Sequence, residues 1–427
     1  MSRATTYLKS QVRRRVLARV GESGIDLSKL DRVPDSMAWP LHRDRMDPVA
    51  RISEVRAADP VHKLTSFMGM TIWMVTGQDE VRKVLADTSS YSNDIRPFVG
   101  KRGSADGDIG GLGFTDPPEH TRLRKLLTPE FTMRRLERLR PRIAAIVDAQ
   151  LDQMERSGPV VDLVEEFAFP VPFLVICELL GLPDEDRETF RQLGSARFDV
   201  TYGGTGSFGA VSESRSFLME ATRKQRDDPG DGLIGQIIRE IGDDIRDFDL
   251  GGLADGVFTG GLETSASMLA LGTAVLMDHP DDYHRLATDP SAVDPAVEEL
   301  LRYLTVVQVA FPRFPKHDVE LAGKRILKGD VVVCHLAGAN RDGAEDLEEF
   351  RAQRPPLQHM AFGYGFHRCV GAELARLELR TAYPALARRF PDLALAVRPD
   401  EVDFRPLSIV HGLESLPVRL TRVPAFS

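Results

Sequence analysis

The chain has 427 residues and a formal net charge of −9, with 42% hydrophobic and 28% charged residues. This composition is typical of a globular protein with enough apolar residues for a large core. The acidic balance argues against a general nucleic-acid-binding protein, which needs a basic surface.

No linker rich in Pro, Gly or Ser divides the chain, so we expect a single large domain with a basic N-terminal arm over residues 1–20. The arm lacks the apolar stretch of a signal peptide. The longest apolar run, Met268 to Met277, is too short to span a bilayer. Three cysteines, Cys177, Cys334 and Cys369, are too few for a disulfide framework. We therefore predict a cytoplasmic protein without a transmembrane segment.

The first regular elements are a strand over Met70 to Val75, which is rich in β-branched and aromatic residues, and a short helix over Glu80 to Leu85. The segment from Ser92 to Gly113 contains six glycines and is predicted to be a loop. A loop of this length inside a compact domain usually has a function.

A helix is predicted to begin at Asp116, with Asp116 as its cap and two prolines in the first turn. His120 and Arg124 are four residues apart and therefore share a helix face. Two proton donors on one face suit a carboxylate ligand. The alternative is a solvated basic face, which suits Arg122 and Lys125 better.

Helical periodicity dominates from Leu136 to about Asp249, where no catalytic group stands out, and Leu250 to His279 is predicted to be one long apolar helix. Within it lies Gly260-Gly261-Leu262-Glu263-Thr264. Two glycines in a helix are costly, which indicates a close approach of something else. A threonine hydroxyl can bond back to a carbonyl and open the helix, and a buried glutamate must be paired, wet or functional. The alternative is a kink beside a surface glutamate.

A further helix over Asp294 to Arg302 would place Glu299 and Arg302 one turn apart, at the spacing of an ion pair. Beyond it, the alternating runs Val306 to Phe311, Val319 to Leu321 and Val331 to Cys334 are predicted to be short strands of a small sheet.

The most informative stretch runs from Phe362 to Gly371, because its glycines and Cys369 precede a segment of good helix formers. Cys369 is therefore expected at or just before the first turn of a helix, where backbone amides and the positive helix end favour a thiolate. A single cysteine suits an iron better than a zinc ion, which needs several ligands. The alternative is a buried structural cysteine.

This stretch matches F-G-x-G-x-[H/R]-x-C-x-G, so the chain resembles the cytochrome P-450 superfamily, of the soluble bacterial type. The resemblance implies a mainly α fold with a minor β region, a bound heme b (iron protoporphyrin IX) and Cys369 as the axial ligand of its iron. The segment from Gly260 to Thr264 also matches the family pattern [A/G]-G-x-[D/E]-T. The resemblance assigns Glu263 and Thr264 to proton delivery. It assigns Glu299, Arg302 and Arg354 to structural support of the segment from Phe362 to Gly371, which we call the cysteine loop. The residues that it assigns to cofactor binding are His120, Arg124, Arg313, His359, Phe362, Gly363, His367 and Gly371.

The implied reaction is insertion of one oxygen atom from O2 into a small molecule. The chain has no second segment for a flavin or an iron–sulfur cluster, so electrons would come from an external ferredoxin and its NAD(P)H-dependent reductase. Family geometry places Arg122, Lys125 and Arg368 at the docking site. Two alternatives are a peroxide-driven peroxygenase and a heme-thiolate binding or gas-sensing protein without turnover. The pair Glu263 and Thr264 argues against both.

The substrate pocket is predicted from the apolar residues at the positions where the family contacts its substrates. Such a pocket favours a lipid, fatty acid, terpenoid or polyketide over a sugar or an amino acid. The predicted lining residues are Phe98, Val99, Val257, Phe258, Gly260, Gly261, Val306, Val307, Val309, Ile409 and Val410.

Overall fold

Helices form most of the structure, in agreement with the long helical periodicities of the sequence. The computed structural model describes residues 35–67, 70–94, 112–198, 205–343 and 345–420. Its α-helices are α1 (Asp35–Ala38), α2 (Arg51–Ala58), α3 (Gln78–Ala86), α4 (Glu119–Leu127), α5 (Met133–Ser157), α6 (Pro170–Leu180), α7 (Asp184–Phe198), α8 (Thr205–Asp227), α9 (Leu233–Ile241), α10 (Asp247–Met277), α11 (Pro280–Thr288), α12 (Val293–Leu304), α13 (Leu336–Ala339) and α14 (Ala372–Arg389).

The strands are short and form several small sheets. They are β1 (Arg43–Asp44), β2 (Asp47–Pro48), β3 (Val61–Phe67), β4 (Met70–Val75), β5 (Tyr91–Ser92), β6 (Val160–Asp162), β7 (Phe314–Pro315), β8 (Val319–Leu321), β9 (Lys324–Ile326), β10 (Val331–Cys334), β11 (Ala394–Leu395), β12 (Asp403–Phe404), β13 (Leu413–Ser415) and β14 (Pro417–Arg419). The largest sheets have three strands, in the orders β10-β4-β3 and β11-β14-β6. The predicted mainly α fold with a minor β region is confirmed.

The long helix α10 runs through the core and is buried around most of its circumference. A helix that is apolar on all sides is expected at the centre of a large helical domain. The neighbouring helices α6, α8, α12 and α14 pack against it. The predicted limits, Leu250 to His279, lie within three residues of the observed ones.

Helix α14, which follows the cysteine loop, lies very close to α10. Its Tyr383 hydroxyl donates a hydrogen bond to the Met268 carbonyl of α10. A Cβ atom at Gly272 would lie 1.9 Å from that hydroxyl, so only glycine permits the contact. The cysteine loop is thereby fixed relative to the central helix.

The strand predictions hold for β4, β8 and β10, whose limits are those expected from the sequence. The predicted strand Val306 to Phe311 is wrong. Val307 forms an isolated bridge with Val410, whereas Val309 forms one with His335. Since the two partners belong to different parts of the chain, no continuous ladder can form.

The predicted cap of α4 is also wrong. The Asp116 carboxylate accepts hydrogen bonds from the Ser92 hydroxyl and the Asn93 backbone N–H, and α4 begins only at Glu119. The predicted pocket residues Phe98 and Val99, the N-terminal arm and most of the predicted loop lie outside the described residues. Within the described part of the chain, none of the helices has the length and apolar character that a bilayer crossing requires.

Candidate active site

The cysteine loop folds through two glycines in left-handed conformations, Gly363 with φ 67° and Gly365 with φ 69°. A side chain at Gly365 would also collide with the Leu85 carbonyl oxygen, 2.6 Å from its Cβ position. The Cys369 N–H donates to the Phe362 carbonyl oxygen at 2.9 Å, which closes the loop. Gly371 does not adopt a left-handed conformation, since its φ is −85°. As predicted, Cys369 lies just before the first turn of α14.

Cys369 is reachable by solvent, although protein atoms surround its position. Burial raises the pKa of its thiol, while the Gly371 N–H and the guanidinium groups of Arg124, Arg368 and Arg376 act in the opposite direction. The helix end and the nearby cations thus favour a thiolate as predicted, but by themselves they do not outweigh burial. A bound metal cation would supply the missing positive charge.

Two histidines predicted to bind the cofactor lie against each other, with the ring centroids of His120 and His367 separated by 4.2 Å. His120 is fully buried, and neither of its ring nitrogens has a hydrogen-bond partner among the described residues. Burial and the charge of Arg124 lower the pKa of His120 to about 4. Burial, His120 and Arg313 lower the pKa of His367 to about 3. The nearby Asp116 carboxylate favours the charged forms of both histidines, but burial and the neighbouring positive groups outweigh it.

Two arginines complete this cluster. Arg313 is 4% exposed and donates to the Phe311 carbonyl oxygen at 2.7 Å, and Arg124 donates to the Arg368 carbonyl oxygen at 2.6 Å. The ion pairs among the described residues include neither arginine; the nearby Asp116 carboxylate lies 3.6 Å from Lys316. The two guanidinium groups and two imidazoles offer N–H donors that no ion pair among the described residues uses, which suits an anionic ligand, such as the propionates of a heme.

His359 does not belong to this cluster. Its Nε2 lies 3.1 Å from Glu298 Oε2, and its Nδ1 accepts a hydrogen bond from the Ala361 N–H at 3.2 Å. Burial raises the pKa of Glu298, but hydrogen bonds from Arg376 and His359 outweigh it and lower that pKa to about 2. Because both ring nitrogens already have protein partners, His359 is not among the residues that we propose to hold the cofactor.

Helix α10 exposes a narrow stripe in its middle. Cβ positions at Gly256 and Gly260, one turn apart, have no heavy atom within 4 Å. On the next turn, the Thr264 hydroxyl donates to the Gly260 carbonyl oxygen at 2.7 Å, which is the back-bonding predicted from the sequence. Glu263 is paired, because its Oε1 lies 2.8 Å from Arg405 Nη1. No pattern in the sequence indicates this partner, because Arg405 is 142 residues further along the chain.

The structure places the predicted pocket residues in different surroundings. Phe258 is fully buried, with its ring centroid 4.3 Å from that of Phe190, and a Cβ at Gly261 would face Ile176 at 3.0 Å. Both residues point into the core because they lie on the side of α10 that packs against other helices. Val306 is also buried, whereas Ile409 is 56% exposed. Val257, Val307, Val309 and Val410 are partly buried.

The three supporting residues form one buried network. Arg302 pairs with Glu299 at 2.7 Å, and Arg354 reaches the other carboxylate oxygen of Glu299 at 3.0 Å. Arg302 also donates to the carbonyl oxygens of Asn340, Leu347 and Glu349. The network thus joins α12 to the chain that leads into the cysteine loop.

A buried acid that the sequence analysis missed lies where α14 meets α10. Burial raises the pKa of Glu378 to about 8, and a hydrogen bond with Ser265, next to Thr264, opposes this shift. Its Oε2 has no hydrogen-bond partner among the described residues. The sequence signal that could have identified Glu378 is its position as a charged residue on the apolar face of a predicted helix.

Glu378→Gln should change how stability depends on pH. Between about pH 4.5 and about pH 8 the unfolded chain loses the proton of Glu378 while the folded protein retains it, so stability falls as pH rises through this window. Glutamine does not titrate, so the variant does not lose stability in this way as the pH rises. We expect the urea midpoint of the variant to exceed that of the wild type increasingly between about pH 5 and about pH 8. Glu54→Gln, at an exposed helix position, is the control; a constant difference across this range would refute the assignment.

The family model described as cytochrome P450 matches residues 58–202 and 291–395. The chain is 38% identical to cytochrome P450 165B3 of Amycolatopsis orientalis, over 89% of this chain and 98% of that protein. It is 35% identical to the 6-deoxyerythronolide B hydroxylase of Saccharopolyspora erythraea, over 91% and 99%.

Among solved structures, OxyB from teicoplanin biosynthesis, in its complex with the X-domain, superposes with a TM-score of 0.80 at 41% identity, over 89% of this chain and 99% of that one. Relatives at this identity, matched over nearly their whole length, show common descent and a common fold. The chain therefore belongs to the cytochrome P450 family, whose members bind heme, and it is an oxidoreductase of the monooxygenase type.

Proposed function

We propose that this protein binds heme b through Cys369 and inserts one oxygen atom from O2 into a lipophilic small molecule. The observation that carries the proposal is the accessible Cys369 in a glycine-bent loop, beside His120, His367 and Arg313, which form no ion pair with a carboxylate among the described residues. A flat ligand with one metal ion and two carboxylates would satisfy both features.

The residues present fit the heme. Cys369 would hold the iron, and His120, Arg124, Arg313 and His367 would hold the propionates. The open stripe of α10 at Gly256 and Gly260 leaves room for a planar group. When bound, the heme supplies the oxygen chemistry, and a thiolate ligand favours O–O cleavage.

The first test is spectroscopic and chemical. The reduced protein with carbon monoxide should show the absorption band of a thiolate-ligated heme, and NADH with surrogate redox partners should yield an oxidised product that contains one atom of labelled O2. A thiolate band without any product, over a broad set of bound compounds, would instead favour a heme-thiolate binding or gas-sensing protein. Product formed with hydrogen peroxide alone would favour a peroxygenase.

The proposed role of Glu263 and Thr264 is to deliver protons through water to the reacting oxygen. Thr264→Ala should separate NADH consumption from product formation, because the hydroxyl that orders the local water is lost. The fold should survive, since losing one such hydroxyl costs about 1 kcal/mol. Product, peroxide and NADH are measured with the same partners.

The matched control for this variant is Thr273→Ala. The Thr273 hydroxyl makes the same back-bond on the same helix, to the Leu269 carbonyl oxygen at 2.7 Å, but it is buried in the core. Product per NADH should fall in the Thr264 variant alone. If both variants retain the wild-type ratio, Thr264 is only a helix-opening residue.

The proposed substrate is a lipophilic molecule of the polyketide, terpenoid or lipid class. Large apolar side chains are exposed at Phe311, Leu407 and Ile409, and the last two lie on the loop between β12 and β13. Among the relatives, one is named for 6-deoxyerythronolide B and another comes from teicoplanin biosynthesis, so polyketide and peptide antibiotic precursors head the set of test compounds. A spectral binding screen against the ferric protein identifies the class. Tight binding of sugars or free amino acids alone would contradict it.

The proposed electron donor is an acidic ferredoxin with its reductase. Of the three cations predicted at its docking site, Arg122 already pairs with Glu119 at 2.7 Å and Asp249 at 3.3 Å, which leaves its charge compensated. Lys125 is exposed, and Arg368 Nη2 lies 4.0 Å from Glu373 Oε1, which is a weaker contact than those of Arg122. A cytoplasmic location remains a prediction from the sequence.

Lys125→Glu should slow the first electron transfer from an acidic ferredoxin and weaken its dependence on salt, because a steering charge is reversed. Stopped-flow reduction at low and high ionic strength measures both effects. The control is Arg398→Glu, which reverses an exposed charge that pairs with Asp400 and Glu401. Equal rates in the two variants would place the docking surface elsewhere.

A further inference from the structure

The ion pair between Glu263 and Arg405 connects the middle of α10 to the hairpin of β12 and β13. The backbone N–H of Arg405 donates a hydrogen bond to the Gly412 carbonyl oxygen at 3.1 Å. The hairpin thereby fixes the backbone from which the arginine side chain extends. Its Nη1 then lies 2.8 Å from Glu263 Oε1. On the other side, its Nε lies 3.6 Å from Glu414 Oε1.

The surroundings of Arg405 are shaped for this contact. A Cβ atom at Gly412 would lie 3.2 Å from Arg405 Nη1 and 2.7 Å from the Ser267 hydroxyl of α10. Glycine at this position therefore lets the guanidinium lie between the hairpin and the helix. The side chains of Arg405 and Glu263 are 15% and 21% exposed, so solvent screens their interaction less than that of a surface pair.

We propose that Arg405 is a positioning residue for the proton-delivering acid. It holds the Glu263 carboxylate in one orientation, next to Thr264 and at the edge of the open stripe of α10. A long glutamate side chain has several rotamers, and a charge-assisted contact at 2.8 Å favours the one that meets Arg405. This inference rests on the proposed function, because only an oxygen-activating enzyme requires the acid to be placed in this way.

The same hairpin carries the exposed apolar residues Leu407 and Ile409. Backbone bonds fix this loop to the segment after α12, since the Gln308 N–H donates to the Ile409 carbonyl oxygen at 3.0 Å and Val307 bridges Val410. The position of Arg405 is therefore set by a rigid frame rather than by a free loop. A rigid frame is what the precise placement of a reacting side chain requires.

The test is a double-mutant cycle with Arg405→Gln, Glu263→Gln and the double variant, together with Arg405→Lys and the control Arg398→Gln. We expect Arg405→Gln to lower product per NADH about tenfold, as expected for the loss of assisted proton transfer, with hydrogen peroxide replacing product. Glu263→Gln and the double variant should show the same ratio as Arg405→Gln, because Arg405 acts through Glu263. Arg405→Lys should recover part of the loss, and Arg398→Gln should match the wild type.

Urea unfolding of the heme-free protein provides a readout that needs no turnover. In the heme-free protein, Arg405→Gln should lower the urea midpoint when Glu263 is present. In the Glu263→Gln background it should not lower the midpoint further. Unchanged product per NADH in Arg405→Gln, or losses from the two single variants that multiply in the double variant, would overturn the inference. Should the wild type give no thiolate band and no product while the unfolding cycle still shows coupling, the proposed function fails and the ion pair is only structural.

Discussion

Cys369→Ser is expected to abolish turnover and to remove the thiolate-type band of the reduced carbon monoxide complex. An alcohol oxygen is a poor iron ligand, and it cannot donate charge as a thiolate does. The surrounding residues should stay in place, because the loop is closed by backbone bonds such as that from the Cys369 N–H to the Phe362 carbonyl oxygen. The measurements are the reduced carbon monoxide spectrum, the heme content and NADH-dependent product.

The control for this variant is Cys177→Ala. Cys177 is fully buried in α6, where burial raises the pKa of its thiol to about 12 and keeps it neutral. Its replacement should leave both the spectrum and the activity unchanged. A thiolate-type spectrum that persists in Cys369→Ser but disappears in Cys177→Ala would show that Cys177, and not Cys369, is the iron ligand.

What could be predicted from the sequence is mostly what local spacing determines. The loop that presents Cys369, the bond from Thr264 to Gly260 and the pair of Glu299 and Arg302 each involve residues within about one or two helix turns of each other. Helix and loop geometry alone bring such residues together, so a pattern in the chain is sufficient. The strands β4 and β10 were also predictable, because their runs of β-branched and aromatic residues favour an extended backbone.

What could not be predicted depends on partners far away in the chain. Glu263 meets Arg405 across 142 residues, and His359 meets Glu298 across 61. Residues that touch only in the folded state leave no periodic trace in a single sequence. The error at Val306 to Phe311 has the same origin, because its alternation is real but its partners come from two different segments.

The predicted pocket residues on α10 show a further limit of the sequence. Phe258 and Gly261 are apolar or small and lie near Thr264 in sequence, yet a helix turns by about 100° per residue, so neighbours face different directions. On α10 the open stripe contains Gly256 and Gly260, whereas Phe258 packs into the core. An apolar helix buried on most sides gives no sequence signal for which face adjoins a cavity.

Arg302→Met is expected to destabilise the protein by about 3 to 5 kcal/mol, which is a large fraction of a typical folding free energy. Arg302 and Glu299 are each 3% exposed at the side chain. The substitution removes the two hydrogen bonds that Arg302 donates to the Glu299 carboxylate and leaves Arg354 as the remaining cation of the network. It also leaves the carbonyl oxygens of Asn340, Leu347 and Glu349 without the guanidinium that they now share. Methionine fills most of the volume, so the loss is electrostatic rather than a cavity effect.

The measurement is urea unfolding of the heme-free protein, followed by the heme content of each purified variant. Arg389→Met is the matched control, because Arg389 also pairs with two carboxylates, Asp152 at 2.7 Å and Glu155 at 3.0 Å, but at the surface. Exposed pairs contribute about 0 to 1 kcal/mol, so the control should lose little stability and retain its heme. In Arg302→Met the segment before the cysteine loop loses its anchor, and heme content should fall together with stability. Equal unfolding midpoints for the two variants would show that the buried network does not hold the loop.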